Sequence, residues 1–239
     1  MERYSRLHLW MIVIFLLIQV SIYKYYWPKF STTTWEFHIH YWLVTAWYLL
    51  LIIQPYLISI SKIQKHRTIG ILGFLLAGGV IFTGFSLLDV PLKLAAKADT
   101  VIPGPPLSFY YGTLVIEFIL MLAFAYAVIK GILHRKNLAA HSWWLIASAF
   151  YMMMPALGRG LIVFWRGILP PEKFSPLVLF ISGELIYIPL FLLFAFKFGK
   201  IKHQATVIGL LLVIVRFLRI PLGASETIQE FLKAVIRFQ

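Results

Sequence analysis

Apolar positions in this chain gather into six long runs, near residues 7 to 25, 38 to 60, 68 to 90, 109 to 130, 139 to 165 and 176 to 198. Each approaches the roughly 20 residues a helix needs to cross a bilayer, and none alternates with the period of a membrane barrel strand. A bilayer interior offers no water to the backbone amides, so such runs are predicted as helices. The joints are short and carry breakers: Trp27-Pro28, Pro91, Pro103-Gly104-Pro105-Pro106 and Pro170-Pro171. The pattern predicts an all-α integral membrane bundle of six transmembrane helices over residues 1–203, a single unit with no linker.

Residues 204–239 read differently. Ala205 to Val215 is apolar but short and runs into Arg216 and Arg219, so it is predicted as an interfacial helix on the side of the N-terminus, with a seventh span as the other placement. After Pro221 and Gly223, Ser225 is placed to cap an amphipathic helix with Ile228, Phe231, Leu232, Val235 and Ile236 on one face. That face is suited to lipid or to a protein partner.

Composition agrees with the pattern. Hydrophobic residues make up 61% of the chain and mean hydropathy is +0.85, more apolar surface than a water-soluble core of this length would hide. The formal charge of +13 is dispersed among short loops, which points to topology and anionic lipid rather than nucleic acid. Alternate loops are unequal in Lys and Arg. Arg3, Arg6, Lys62, Lys65, Arg67, Lys130, Arg135, Lys136, Lys197, Lys200 and Lys202 fall on one side, so that side and the N-terminus are expected to be cytoplasmic in a plasma (inner) membrane. The first run is read as a retained span rather than a cleaved signal. With no cysteine there is no disulfide, thiolate site or Cys nucleophile.

Ionisable residues within the runs carry the most weight, because burying charge in lipid is costly. Glu117, Arg159 and Glu184 fall at one depth, about 12 Å in at 1.5 Å per residue. An arginine between two carboxylates is predicted either to fix helix packing or to line a polar pocket for a small ligand or proton. Gly158 and Gly160 beside Arg159, and the run Met152-Met153-Met154-Pro155 before it, favour the pocket.

Histidines mark both ends of the second run. His38 and His40 at one mouth, with Asp89, form a candidate metal set suited to zinc. At the other end His66-Arg67 opens the third run and His141 opens the fifth from the same side. A b-type haem between them would take one axial imidazole from each, with Arg67 near a propionate. Solvated interface residues are the plainer reading of both groups.

The order His, Trp, Gln54-Pro55, His66-Arg67-x-x-Gly70, followed by a basic turn with His141 and an in-membrane Arg159, resembles a family of bacterial multi-spanning membrane proteins with no settled activity. The resemblance covers the second to fifth runs. It implies a multi-pass architecture and singles out His66, Arg67, His141 and Arg159, without supplying a reaction. The chain is also loosely similar to six-helix b-type cytochromes, but the fourth and sixth runs lack histidine, so a second bis-histidine haem is not available. Seven-span zinc hydrolases are set aside, since no His-x-x-x-His pair follows His203.

Three functions remain in view: binding, transport or sensing of a small ligand or proton at Glu117, Arg159 and Glu184; a haem redox protein using His66 and His141; and a structural or assembly subunit of a membrane complex.

Overall fold

A computed structural model describes residues 4–96, 106–170 and 176–236, with the side chains of residues 95 and 176–181 outside the description. The described residues are helical without strands. In chain order they form α1 (Leu7–Tyr26), a 3-10 turn (Trp27–Thr32), α2 (Trp35–Ser59), α3 (Ile63–Ser86), α4 (Val90–Ala95) and α5 (Leu107–Leu133), then α6 (Leu138–Ile168), α7 (Pro176–Phe198), α8 (Gln204–Phe217), α9 (Arg219–Ala224) and α10 (Glu226–Val235). Five segments, Leu7–Thr32, Trp35–Ser59, Ile63–Leu94, Leu107–Leu133 and Leu138–Ile168, are long and apolar enough to cross a membrane. The sixth expected span is α7, whose 23 residues rise about 35 Å, more than the hydrocarbon thickness. The chain is a multi-pass helical membrane protein.

The centre of the bundle is α6. It packs against α1, α2, α5, α7 and α8, and from Trp143 to Leu157 almost every side chain is buried. A helix that is apolar around its whole circumference has no water-facing side, and small residues such as Ala147, Ser148 and Ala149 let its neighbours approach. Aromatic rings fill the interior: Phe150 lies 5.1 Å from Phe191, and Trp143 stacks on Phe191 at 5.6 Å.

Residues 204–217 form α8, which runs alongside α5, α6 and α7 within the bundle. At its start α8 is tied to one end of the bundle. His203 caps it by accepting from Ala205 N–H at 3.1 Å, Trp143 Nε1 donates to Thr206 Oγ1 at 3.0 Å, and Gln204 donates to the Tyr126 hydroxyl at 3.3 Å. At the far end, Gly112 of α5 lies against the Arg219 carbonyl and Gly223 of α9 against the Ser108 carbonyl, so closely that a Cβ at either glycine would overlap the backbone opposite. Tyr126 and Ser108 are 18 residues apart on α5, or about 27 Å. Together α8 and α9 therefore run along most of the length of α5. Arg216 is buried inside the protein and Arg219 partly so.

His203 holds its cap with a neutral ring nitrogen. Burial, with His134, Lys200 and Lys130 nearby, pushes its pKa below the ordinary histidine value. The cap is present at neutral pH, and its contribution is lost as pH falls through the unfolded-state value near 6.5, because the unfolded chain takes up the proton more readily.

The amphipathic C-terminal helix forms where expected, capped by Ser225 Oγ accepting from Ile228 N–H at 3.5 Å. Its place differs. Leu232, flanked by Ile228 and Ile236, packs on Leu92 of α4 and on Tyr111 and Leu114 of α5, at the face opposite the N-terminus.

A crossing by α8 has a direct test in a chain without natural cysteine. Single cysteines at Arg6 and Glu230 are expected to react with a membrane-impermeant thiol reagent from opposite sides of sealed vesicles; labelling from the same side would contradict this topology.

Candidate intramembrane site

Glu184 and Arg216 form the most enclosed charged pair among the described residues. Arg216 Nε lies 2.9 Å from Glu184 Oε1, with side-chain exposures of 5% and 6%. Glu184 comes from the first half of α7 and Arg216 from the last turn of α8, two antiparallel helices joined by a short turn. Counted from that turn, Glu184 is 14 residues before Phe198 and Arg216 is 12 after Gln204, rises of about 21 and 18 Å. The hairpin thus brings opposite charges to one depth.

Polar atoms around the pair remain without protein partners. Glu184 Oε2, Arg216 Nε and the Tyr187 hydroxyl are all buried and make no hydrogen bond, and the same holds for Ser182 Oγ, two residues before Glu184 on α7. Tyr187 stands one helical turn after Glu184, on the same side of α7. Two glycines flank the guanidinium. A Cβ built on Gly158 of α6, or on Gly183 of α7, would meet only Arg216 Nη2, at 3.8 Å in each case, among the described residues. An orphan polar group buried in low dielectric costs about 1–3 kcal/mol, which makes a cluster of them a site of interest rather than mere packing.

The triad expected from Glu117, Arg159 and Glu184 is corrected. Arg159 Nη2 donates to Glu117 Oε1 at 3.1 Å, between α6 and α5, but Glu184 belongs to Arg216. The first pair is open, with Arg159 45% and Glu117 21% exposed. Gly160 serves α1 rather than the arginine: a Cβ there would collide with Ser21 of α1. Depth counting found both carboxylates, yet missed Arg216 because residues 204–217 were read as an interfacial segment.

The residues grouped for zinc are dispersed. His38 Nδ1 meets the Tyr26 hydroxyl at 2.7 Å, His40 Nδ1 meets Thr83 Oγ1 at 2.9 Å, and Asp89 pairs with Lys93 at 2.6 Å. Among the described residues no three His, Asp or Glu side chains gather as a metal set. His38 instead opens a polar string into the α1–α2 seam. Tyr26 stacks on Tyr41 at 3.7 Å, Tyr41 donates to Gln19 Oε1 at 2.5 Å, and Gln19 donates to Thr45 at 3.4 Å.

At the face of the N-terminus, His66 and His141 do meet. Their ring centres are 6.5 Å apart and their planes nearly perpendicular, 87°. His141 Nδ1 donates to the Gly131 carbonyl at 2.7 Å, leaving Nε2 with its lone pair. Gln54 of α2 lies against His66: the amide orientation that satisfies both neighbours donates to His66 Nδ1 and accepts from Gly70 N–H at 3.1 Å. In that arrangement His66 carries its proton on Nε2. The remaining nearby histidine, His134, is occupied with the Lys130 carbonyl at 2.8 Å.

The two ion pairs should behave differently. Glu184→Gln leaves Arg216 buried without a counter-charge and is expected to lower stability by about 3–5 kcal/mol. Glu117→Gln, on the exposed pair, should lower it by about 1 kcal/mol or less. Thermal or denaturant unfolding of both variants in detergent checks the ordering. No protein-family model, no curated protein and no solved structure matches this chain.

Proposed function

We propose that this chain is a membrane protein that binds a small polar ligand within its helical bundle, at the Glu184–Arg216 pair. The observation that carries the reading is the coincidence of a buried ion pair, unpartnered polar atoms and two glycines beside the guanidinium between α6, α7 and α8. Intramembrane charge is expensive, and a purely structural pair would be expected to have all its lone pairs and protons satisfied. Binding, transport and sensing share this first step. The excess of Lys and Arg on the face of the N-terminus supports a cytoplasmic N-terminus. The reading is tested by thermal unfolding of the protein in lipid nanodiscs against small carboxylates, amines and amides. A ligand is expected to raise the melting temperature of the native chain and to leave Arg216→Lys unmoved; equal responses of the two proteins would refute it.

A second reading, a b-type haem protein, is favoured by the His66–His141 geometry. A metal–nitrogen bond of about 2 Å to each imidazole, with the rings beyond, spans close to the observed 6.5 Å. Two protein donors suit a haem iron, whose porphyrin supplies the remaining ligands, better than a four-coordinate zinc. His141 already has the tautomer of a ligand, whereas His66 would need the Gln54 amide reversed so that its oxygen accepts from Nδ1. Bound there, a haem would supply one-electron chemistry, and the role of this chain would be to hold and orient it. Protein produced with ample haem should show a Soret band that His141→Ala removes; a colourless preparation ends this reading.

A further inference from the structure

Two glycines leave room for a methyl beside the cation: a Cβ on Gly158 or Gly183 would lie at van der Waals distance from Arg216 Nη2, while Glu184 Oε1 stands 2.9 Å from Nε as an ion pair without hydrogen-bond geometry. Guanidinium N–H groups left without a hydrogen bond call for an acceptor. A guanidinium, planar and always charged, matches a carboxylate-like oxyanion best. The gap also has an approach. Gly158 is half-buried and adjoins Arg159, which is paired with Glu117.

An anion that takes the place of Glu184 at Arg216 leaves that carboxylate without its contacting counter-charge in low dielectric, which favours its taking up a proton. Glu184 Oε2, buried and without a partner, is where a proton would be taken up. The charged and titratable groups near Glu184 are Arg216 of α8, Arg219 of α9, Tyr187 of its own helix and, beyond Arg216, Glu117 of α5. From α6 come Gly158 and Tyr151, whose hydroxyl is given to the Ala205 carbonyl at 2.6 Å. No other carboxylate stands closer to the gap among the described residues.

We infer that the Glu184–Arg216 site takes a small oxyanion together with one proton: the anion replaces Glu184 at Arg216, and Glu184 becomes the neutral acid. The exchange balances, with one anion and one proton entering and no net charge added. It rests on the ligand-binding reading proposed above and gives that ligand its chemical class and its coupling.

The test uses the full chain in lipid nanodiscs, titrated with sodium acetate by calorimetry in two buffers of unequal ionisation heat, with acetamide and methylamine as controls. Saturable acetate binding with uptake of about one proton per anion is expected, with no response to acetamide. Gly158→Ala places a methyl in the gap at van der Waals distance from Nη2, and is expected to weaken acetate binding by about tenfold or more without lowering the melting temperature. In Glu184→Gln, acetate should bind without proton uptake and restore part of the lost thermal stability, since it supplies the missing counter-charge. Acetate binding without proton exchange in the native chain overturns the coupling. Absence of acetate binding, or indifference to Gly158→Ala, overturns the oxyanion assignment. If acetamide or methylamine binds in an Arg216-dependent way while acetate does not, only this inference falls; if none of the three binds, the ligand-binding reading falls with it.

Discussion

Taking a carboxylate or a guanidinium out of water costs several kcal/mol for each group even after the protein relaxes, so a membrane bundle that buries both must hold them in contact. Glu184 and Arg216 impose that requirement on α7 and α8. Their contact sets the register of the hairpin and holds the last turn of α8 well inside the protein. The rest of the tail follows from it. With Arg216 held at the depth of Glu184, the chain has only a short distance left to the far face, which α9 covers against Gly112 and Ser108 before α10 turns onto α4 and α5.

The same constraint separates the two halves of the bundle. On the side of the N-terminus, the tight contacts are hydrogen bonds from rings and hydroxyls to backbone carbonyls: Tyr4 to Phe198 at 2.9 Å, Tyr151 to Ala205 at 2.6 Å, and His141 to Gly131 at 2.7 Å. Such bonds satisfy helix ends and turns without introducing charge. On the opposite side, formal charges meet across α5, α6, α7 and α8, and the polar atoms around them are not all satisfied. Those orphan polar groups are the ground of the proposed binding site. The aromatic interior built on α6 provides the rigid wall against which such a site keeps its shape.

Much of the architecture was legible in the chain. The six apolar runs became six helices because lipid demands continuous internal hydrogen bonding, and the Ser225 cap fell on the residue whose hydroxyl can reach an orphan N–H. Depth counting paired Glu117 with Arg159, and entry from the same side brought His66 towards His141, although 75 residues separate them. The length rule says nothing of how residues 204–217 pack. Fourteen residues are short for a span, yet α8 and α9 together run along α5, and Glu184 compensates Arg216. The similar counts from the α7–α8 turn to Glu184 and to Arg216, 14 and 12 residues, were present in the sequence. They acquire meaning only once that turn is known to be a hairpin within the membrane.

Helix existence, the membrane environment and the inventory of costly side chains were therefore determined by sequence alone, since each depends on local composition and on a solvent of fixed thickness. Which charge meets which was decided by the tertiary structure. His38, His40 and Asp89 are near in order of depth yet point to Tyr26, Thr83 and Lys93, because rotation about each helix axis, set by packing, sends equal depths in different directions. Arg216 joined Glu184 for the same reason in reverse: two helices packed antiparallel turned residues 32 apart onto a single contact, and no periodicity along one strand of sequence records the angle between two helices.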